Sequence, residues 1–142
     1  MEEAQVIVTK NGRYALYNYI NEKELEKRIV ERSSEIFGKN THYFNIKKKI
    51  KSKSGFGTIP DGYVIDFDKK KLYIVEVELI KHDLQKHILP QITSFILALR
   101  NEETCEKLVE IFYEELSLLR KIEKNEISSI VANRGIIILI DY

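Results

Sequence analysis

Residues 59–79 read IPDGYVIDFDKKKLYIVEVEL, and this stretch decides the fold. Two runs rich in β-branched and aromatic residues, Tyr63 to Phe67 and Leu72 to Leu79, flank a polar turn around Asp68 to Lys70. That pattern predicts an antiparallel hairpin. Successive side chains of a strand point to opposite faces. On the second strand, Ile74, Glu76 and Glu78 therefore share one face, and Tyr73, Val75, Val77 and Leu79 share the other. Counting back from the turn, residues near 61 to 63 meet residues near 75 to 78, which carries Asp61 to the two glutamates. Carboxylates beside apolar residues cost stability unless they are paired, solvated or bound to a cation. Hard oxygen donors of this kind suit Mg²⁺, Mn²⁺ or Ca²⁺. A polar face salt-bridged to the nearby lysines is the alternative that the spacing leaves open.

Working outward, Tyr43 to Ile50 alternates and predicts a half-buried strand, followed by the polar loop KSKSGFGT at 51–58. Upstream, Asn21 is placed to cap a helix running to about Phe37, with Gly38 as its stop. Leu25, Ile29, Ile36 and Phe37 form its apolar stripe. Gln5 to Lys10 and Arg13 to Tyr19 predict a first hairpin around Asn11-Gly12. Downstream, Asp83 caps a helix from Leu84 to about Leu99, which Pro90 should kink or delay. A second helix is expected over roughly Glu102 to Lys124, acidic early and basic late as the helix dipole prefers. Gly135 to Ile140, GIIILI, predicts a strand buried on both faces. After the first hairpin the expected order is α-β-β-β-α-α-β. Residues 1–142 form one α/β domain in this reading, with the N-terminal hairpin in 1–20 and the core in 21–142.

Composition agrees with one globular domain: 142 residues, 44% hydrophobic and 32% charged. No apolar run approaches the ~20 residues of a membrane span, and no signal-peptide pattern opens the chain. The single cysteine, Cys105, excludes an internal disulfide and points to a reducing, cytoplasmic setting. Its acidic helical surroundings make it a poor nucleophile. The chain ends at Tyr142, two residues past the last apolar strand, an end that suggests a chain trimmed from a longer one. Net charge is only +1, yet charge is sorted along the sequence. Lys47, Lys48, Lys49, Lys51 and Lys53 cluster just before the carboxylates, and acid gathers between Glu102 and Glu115. The lysines read either as a solvated surface or as a track for a phosphate backbone. KSGFGT lacks the ending of a nucleotide-binding phosphate loop. His82 and His87 lack the further ligands of a zinc site and read as phosphate contacts or as capping and packing groups.

IPDGYVIDF and YIVEVEL together resemble the PD-(D/E)xK nuclease superfamily, which includes restriction enzymes and RecB-like nuclease domains. The resemblance implies a restriction-endonuclease-like core, α-β-β-β-α-β, here with an N-terminal hairpin and an extra helix before the last strand. It implies a Mg²⁺-dependent DNA nuclease, with Mn²⁺ as a substitute, in which Asp61, Glu76 and the Val77 carbonyl hold the metal. Glu78 stands where most members carry a lysine; an E-x-E version occurs in some active restriction enzymes, and leaves Glu78 to hold or deprotonate the attacking water. The family's first helix often adds a glutamate. Glu22, Glu26 and Glu31 are the candidates, and the Leu25-Glu26 pair matches best. The RecB-like branch carries a glutamine with an aromatic residue four positions later, matched by Gln91 and Phe95, so Gln91 is expected to orient a carboxylate or phosphate. Lys47, Lys49, Lys51, Lys53, His82 and His87 are then expected to contact DNA. Many members dimerise, so a homodimer is one assembly the resemblance allows. A degenerate module that binds DNA within a larger protein, without cutting it, is the second reading.

Overall fold

The computed structural model describes residues 6–15, 19–79 and 84–140. Strands β1 (Val6–Thr9) and β2 (Gly12–Ala15) form the expected first hairpin, with Thr9 paired to Gly12. The turn is therefore Lys10-Asn11, one residue earlier than the Asn11-Gly12 signal predicts. Thr9 Oγ1 accepts the Asn11 N–H at 3.2 Å, and Gly12 takes φ 153° where it re-enters the ladder. Residues 5 and 16–18 of these predicted strands lie outside the described residues.

Helix α1 (Glu22–Glu31) starts as expected. Asn21 Oδ1 accepts the Glu24 N–H at 2.9 Å, and Glu24 Oε2 accepts the Ile20 N–H at 2.8 Å, so side chains satisfy two donors at the helix entrance. The helix does not continue to Phe37. It breaks at Arg32 (φ −117°, ψ 21°), and a short α2 (Ser33–Phe37) follows, ended by Gly38 at φ 115°. The break rotates the stripe out of register. Leu25 and Ile29 are buried, whereas Ile36 is 45% exposed and Phe37 stacks on Tyr43 with ring centroids 5.7 Å apart.

Strand β3 (Thr41–Phe44) is earlier and shorter than the run Tyr43 to Ile50. Residues 45–49 leave the sheet, and β4 (Ile50–Lys51) pairs instead with β5 (Gly57–Thr58). The Lys51 carbonyl accepts from Thr104 Oγ1 at 2.6 Å and Asn101 Nδ2 at 3.0 Å, which pins this small hairpin to the start of a later helix. Next come β6 (Gly62–Asp66) and β7 (Lys71–Glu78), antiparallel from Gly62–Val75 to Asp66–Lys71. Their turn is closed by Asp66 Oδ1, which accepts the N–H of Asp68 and of Lys69, each at 3.0 Å.

Helices α3 (Leu84–Leu99), α4 (Glu102–Ser117) and α5 (Lys124–Ala132) carry the chain to β8 (Arg134–Ile140), which lies parallel to β7. Parallel neighbours need such a crossover. Helix α3 runs through Pro90, and the predicted Asp83 cap lies outside the described residues. The single helix expected over Glu102 to Lys124 ends at Ser117. The N–H groups of Leu119 and Arg120 turn back to the Leu116 carbonyl at 3.0 and 2.9 Å, and a separate α5 follows. The late basic residues serve elsewhere: Arg120 lies 3.9 Å over the Phe67 ring, and Lys124 Nζ donates to Glu110 at 2.9 Å.

The result is a mixed α/β fold around a four-stranded sheet in the order β3-β6-β7-β8. One face of β7 packs Leu72 and Ile74 among Phe44, Phe95, Leu108 and Phe112; the other packs Val75, Val77 and Leu79 against Leu25 and Ile29 of α1. Strand β8 is half-buried, not covered on both faces, because it stands at the sheet edge. Among the described residues no helix is long and apolar enough to cross a membrane.

Candidate functional site

Glu76 and Glu78 lie on the same face of β7 as Leu72 and Ile74, as alternation requires, and they are 6% and 5% exposed. Continuing the β6–β7 register one step past Gly62–Val75 sets Asp61 opposite Glu76. The side chain of Asp61 takes over from the ladder there: its Oδ2 accepts the Val77 N–H at 2.8 Å. In a strand a residue's N–H and C=O point to the same side, so the Val77 carbonyl looks toward the same end of β6. Among the described residues, the buried Glu76 Oε2 has no hydrogen-bond partner. Burial pushes the Glu76 carboxyl up to about 9, and the neighbouring Asp61 charge adds to the push.

Glu26 comes to this cluster from α1, the layer on the other side of the sheet, and Lys47 joins it from the segment after β3. Lys47 Nζ donates to Glu26 Oε1 at 2.7 Å and to the Asp61 carbonyl at 2.8 Å, and lies 3.7 Å from Asp61 Oδ1. Burial raises the Glu26 pKa, Lys47 draws it back, and Asp61 raises it again. Of the three helix glutamates expected to compete, Glu26 feels the Asp61 charge, and Glu31 pairs along its own helix with Arg28 at 3.7 Å.

Sequence reasoning missed Tyr43. Burial pushes its phenol above the usual tyrosine range, and the charges of Glu26, Asp61 and Glu76 push in the same direction, which sets its hydroxyl beside the acids. The ring passes so close to Gly62 that a Cβ there would overlap Tyr43 Oη. The available signal was the glycine after Asp61, because a glycine inside a strand often marks a close approach. Lys47, expected on the phosphate track, faces the carboxylates.

The remaining expected residues are distributed more widely. Gln91 holds a buried, unpartnered Oε1 on α3, one turn before the fully buried Phe95, while His87 is exposed. His82 lies outside the described residues. Lys49, Lys51 and Lys53 are exposed and, with Lys48 and Lys107, line an open groove of about 520 Å³.

Among the described residues no three His, Cys, Asp or Glu side chains converge closely enough to hold a metal ion. The donor set at Asp61 and Glu76 still fits a hard cation. Two carboxylates and a carbonyl, completed by water, meet the needs of Mg²⁺, and the buried Glu76 Oε2 has no donor among the described residues to compete with such an ion. No family model matches the chain, nor does any curated protein or solved structure.

Proposed function

We propose that the chain is a Mg²⁺-dependent DNA nuclease of the PD-(D/E)xK type, with a restriction-endonuclease-like core in which Glu78 replaces the usual lysine. The observation that carries this reading is Glu76, buried opposite Asp61 with Oε2 unpartnered. A buried acceptor without a donor costs stability, a cost that a bound cation would offset. The element order supports the same reading, since α1, β3, β6 and β7 precede the helices and β8, with the acids at the start of β6 and the end of β7.

In this function Asp61, Glu76 and the Val77 carbonyl would hold the divalent ion. The ion would lower the pKa of a water and neutralise charge growing on the phosphate. Glu78 orients that water and accepts its proton. Glu26 anchors Lys47 beside Asp61. Gln91 orients a carboxylate or a phosphate oxygen. Lys49, Lys51 and Lys53 contact the backbone of the nucleic acid, with His87 and His82 at the same task.

Duplex, single-stranded and branched DNA, and RNA, are incubated with the chain in Mg²⁺, Mn²⁺ or chelator, with Asp61→Ala as control. Metal-dependent cleavage lost in the variant is the expected result. DNA binding without cleavage in either metal on any substrate would replace this reading with the binding module.

A further inference from the structure

We propose that the Lys47 ammonium is a built-in second cation, so that the centre takes one divalent ion, at Asp61 and Glu76, where an all-carboxylate site would take two. The inference rests on the metal reading of Asp61 and Glu76 given above.

Lys47 Nζ is surrounded as a cation would be, by Glu26 Oε1 at 2.7 Å, the Asp61 carbonyl at 2.8 Å and Asp61 Oδ1 at 3.7 Å. These oxygens come from an α-helix and from the start of β6, parts of the chain far apart in sequence, so the ammonium closes a cluster made by the fold. An ammonium has three donors and a full charge, and two of those donors are used here. On the other side of Asp61 the situation reverses: Glu76 Oε2 is buried, and among the described residues no donor reaches it. Asp61 thus divides the centre, with a resident cation on the Glu26 side and an unanswered acceptor on the Glu76 side.

Two-metal centres hold their ions roughly 3.5–4 Å apart across shared carboxylates. Lys47 Nζ already stands at the carboxylate that two ions would share, 3.7 Å from Asp61 Oδ1, and its charge opposes entry of a second ion beside it. Asp61 can still serve the first ion, because a carboxylate offers about four lone-pair sites and its Oδ2 uses one on the Val77 N–H. The side chain of Lys47 is 50% exposed, so its position is set by these oxygens more than by packing, and its replacement leaves the core intact.

The test counts ions. The full chain and Lys47→Ala are titrated with Mn²⁺, bound ion is measured by electron paramagnetic resonance, and thermal unfolding verifies that each protein is folded. The expected result is one bound ion for the unaltered chain and two for Lys47→Ala, with Lys47→Arg, which keeps the charge, again at one. Lys47→Met repeats the neutral variant with a longer side chain and should also bind two. Two ions in the unaltered chain, or one in both neutral variants, overturns the proposal while leaving the metal reading standing. No ion in any of the proteins overturns the metal reading, and this inference with it.

Discussion

Leu72 and Ile74 share a face of β7 with Glu76 and Glu78, and the four are almost equally buried, at 0%, 0%, 6% and 5% exposed. What separates the two halves of the face is their company. Leu72 and Ile74 meet Phe44, Phe95 and Phe112, so their burial removes apolar surface from water and stabilises the fold. Glu76 meets the Asp61 carboxylate, and among the described residues no donor reaches its Oε2. The same degree of burial therefore stabilises at one end of the strand and costs at the other. Apolar burial stabilises the fold where β7 enters the sheet, and the acids gather where it leaves.

The largest expected effect lies in the apolar half. Ile74→Ala should destabilise the chain by about 4 kcal/mol in denaturant unfolding, the cost of a core cavity. A loss under about 1 kcal/mol would break the contrast, because Ile74 would then not sit in a close-packed layer.

The acidic half should respond with the opposite sign. The folded chain holds the Glu76 proton up to about pH 9, against an ordinary value of 4.5. A carboxyl raised in this way favours the folded state most at low pH. Its contribution falls as pH climbs through the ordinary value, and the loss is complete above the folded value. Glu76→Gln carries no such charge, and its amide can donate to Asp61. In chelator the variant should match the unaltered chain near pH 4 and exceed it by on the order of 3 kcal/mol at pH 7. Equal stability at both pH values would show that Glu76 is answered by a group already present. Adding Mn²⁺ should narrow the gap, since only the unaltered carboxylate gains from the cation.

These two halves differed sharply in how well the sequence revealed them. Strand alternation has a period of two, so the shared face of Ile74, Glu76 and Glu78 needed only the strand itself, and one tight turn then set Asp61 near Glu76. The partners of the acids were hidden. Lys47 stands in a run of similar lysines, and only the path of residues 45–49, which leave the sheet, turns that one toward Glu26. The half-burial of β8 was hidden for a related reason: GIIILI records an apolar strand, but not that the strand stands at an edge. Helix α5 escaped notice because nothing in 118–123 is a proline or glycine that would mark a break.

A smaller effect is expected where the acids meet the tyrosine. Gly62→Ala places a methyl group on Tyr43 Oη and should cost about 2 kcal/mol, the range of an overpacked site. Gly62→Ala combined with Tyr43→Phe should recover part of that loss, because the overlapping hydroxyl is gone. No recovery would mean that the ring carbons, which also overlap an added Cβ, and not the hydroxyl alone, set the requirement.

The smallest effect separates two kinds of lysine. Lys53 is exposed on the groove lined by Lys48, Lys49 and Lys51, whereas Lys47 spends its charge on Glu26 and Asp61. A lysine that neutralises a phosphate contributes about 0.9 to the slope of log affinity against log salt. With duplex DNA in chelator, Lys53→Ala should flatten that slope by about 1 and weaken binding evenly across sequences. Lys47→Ala should leave the slope unchanged, because its ammonium is committed to the carboxylates before DNA arrives. An equal change in both variants would return Lys47 to the phosphate track and remove it from the centre. The division of labour at Asp61 would then rest on Glu26 and Glu76 alone.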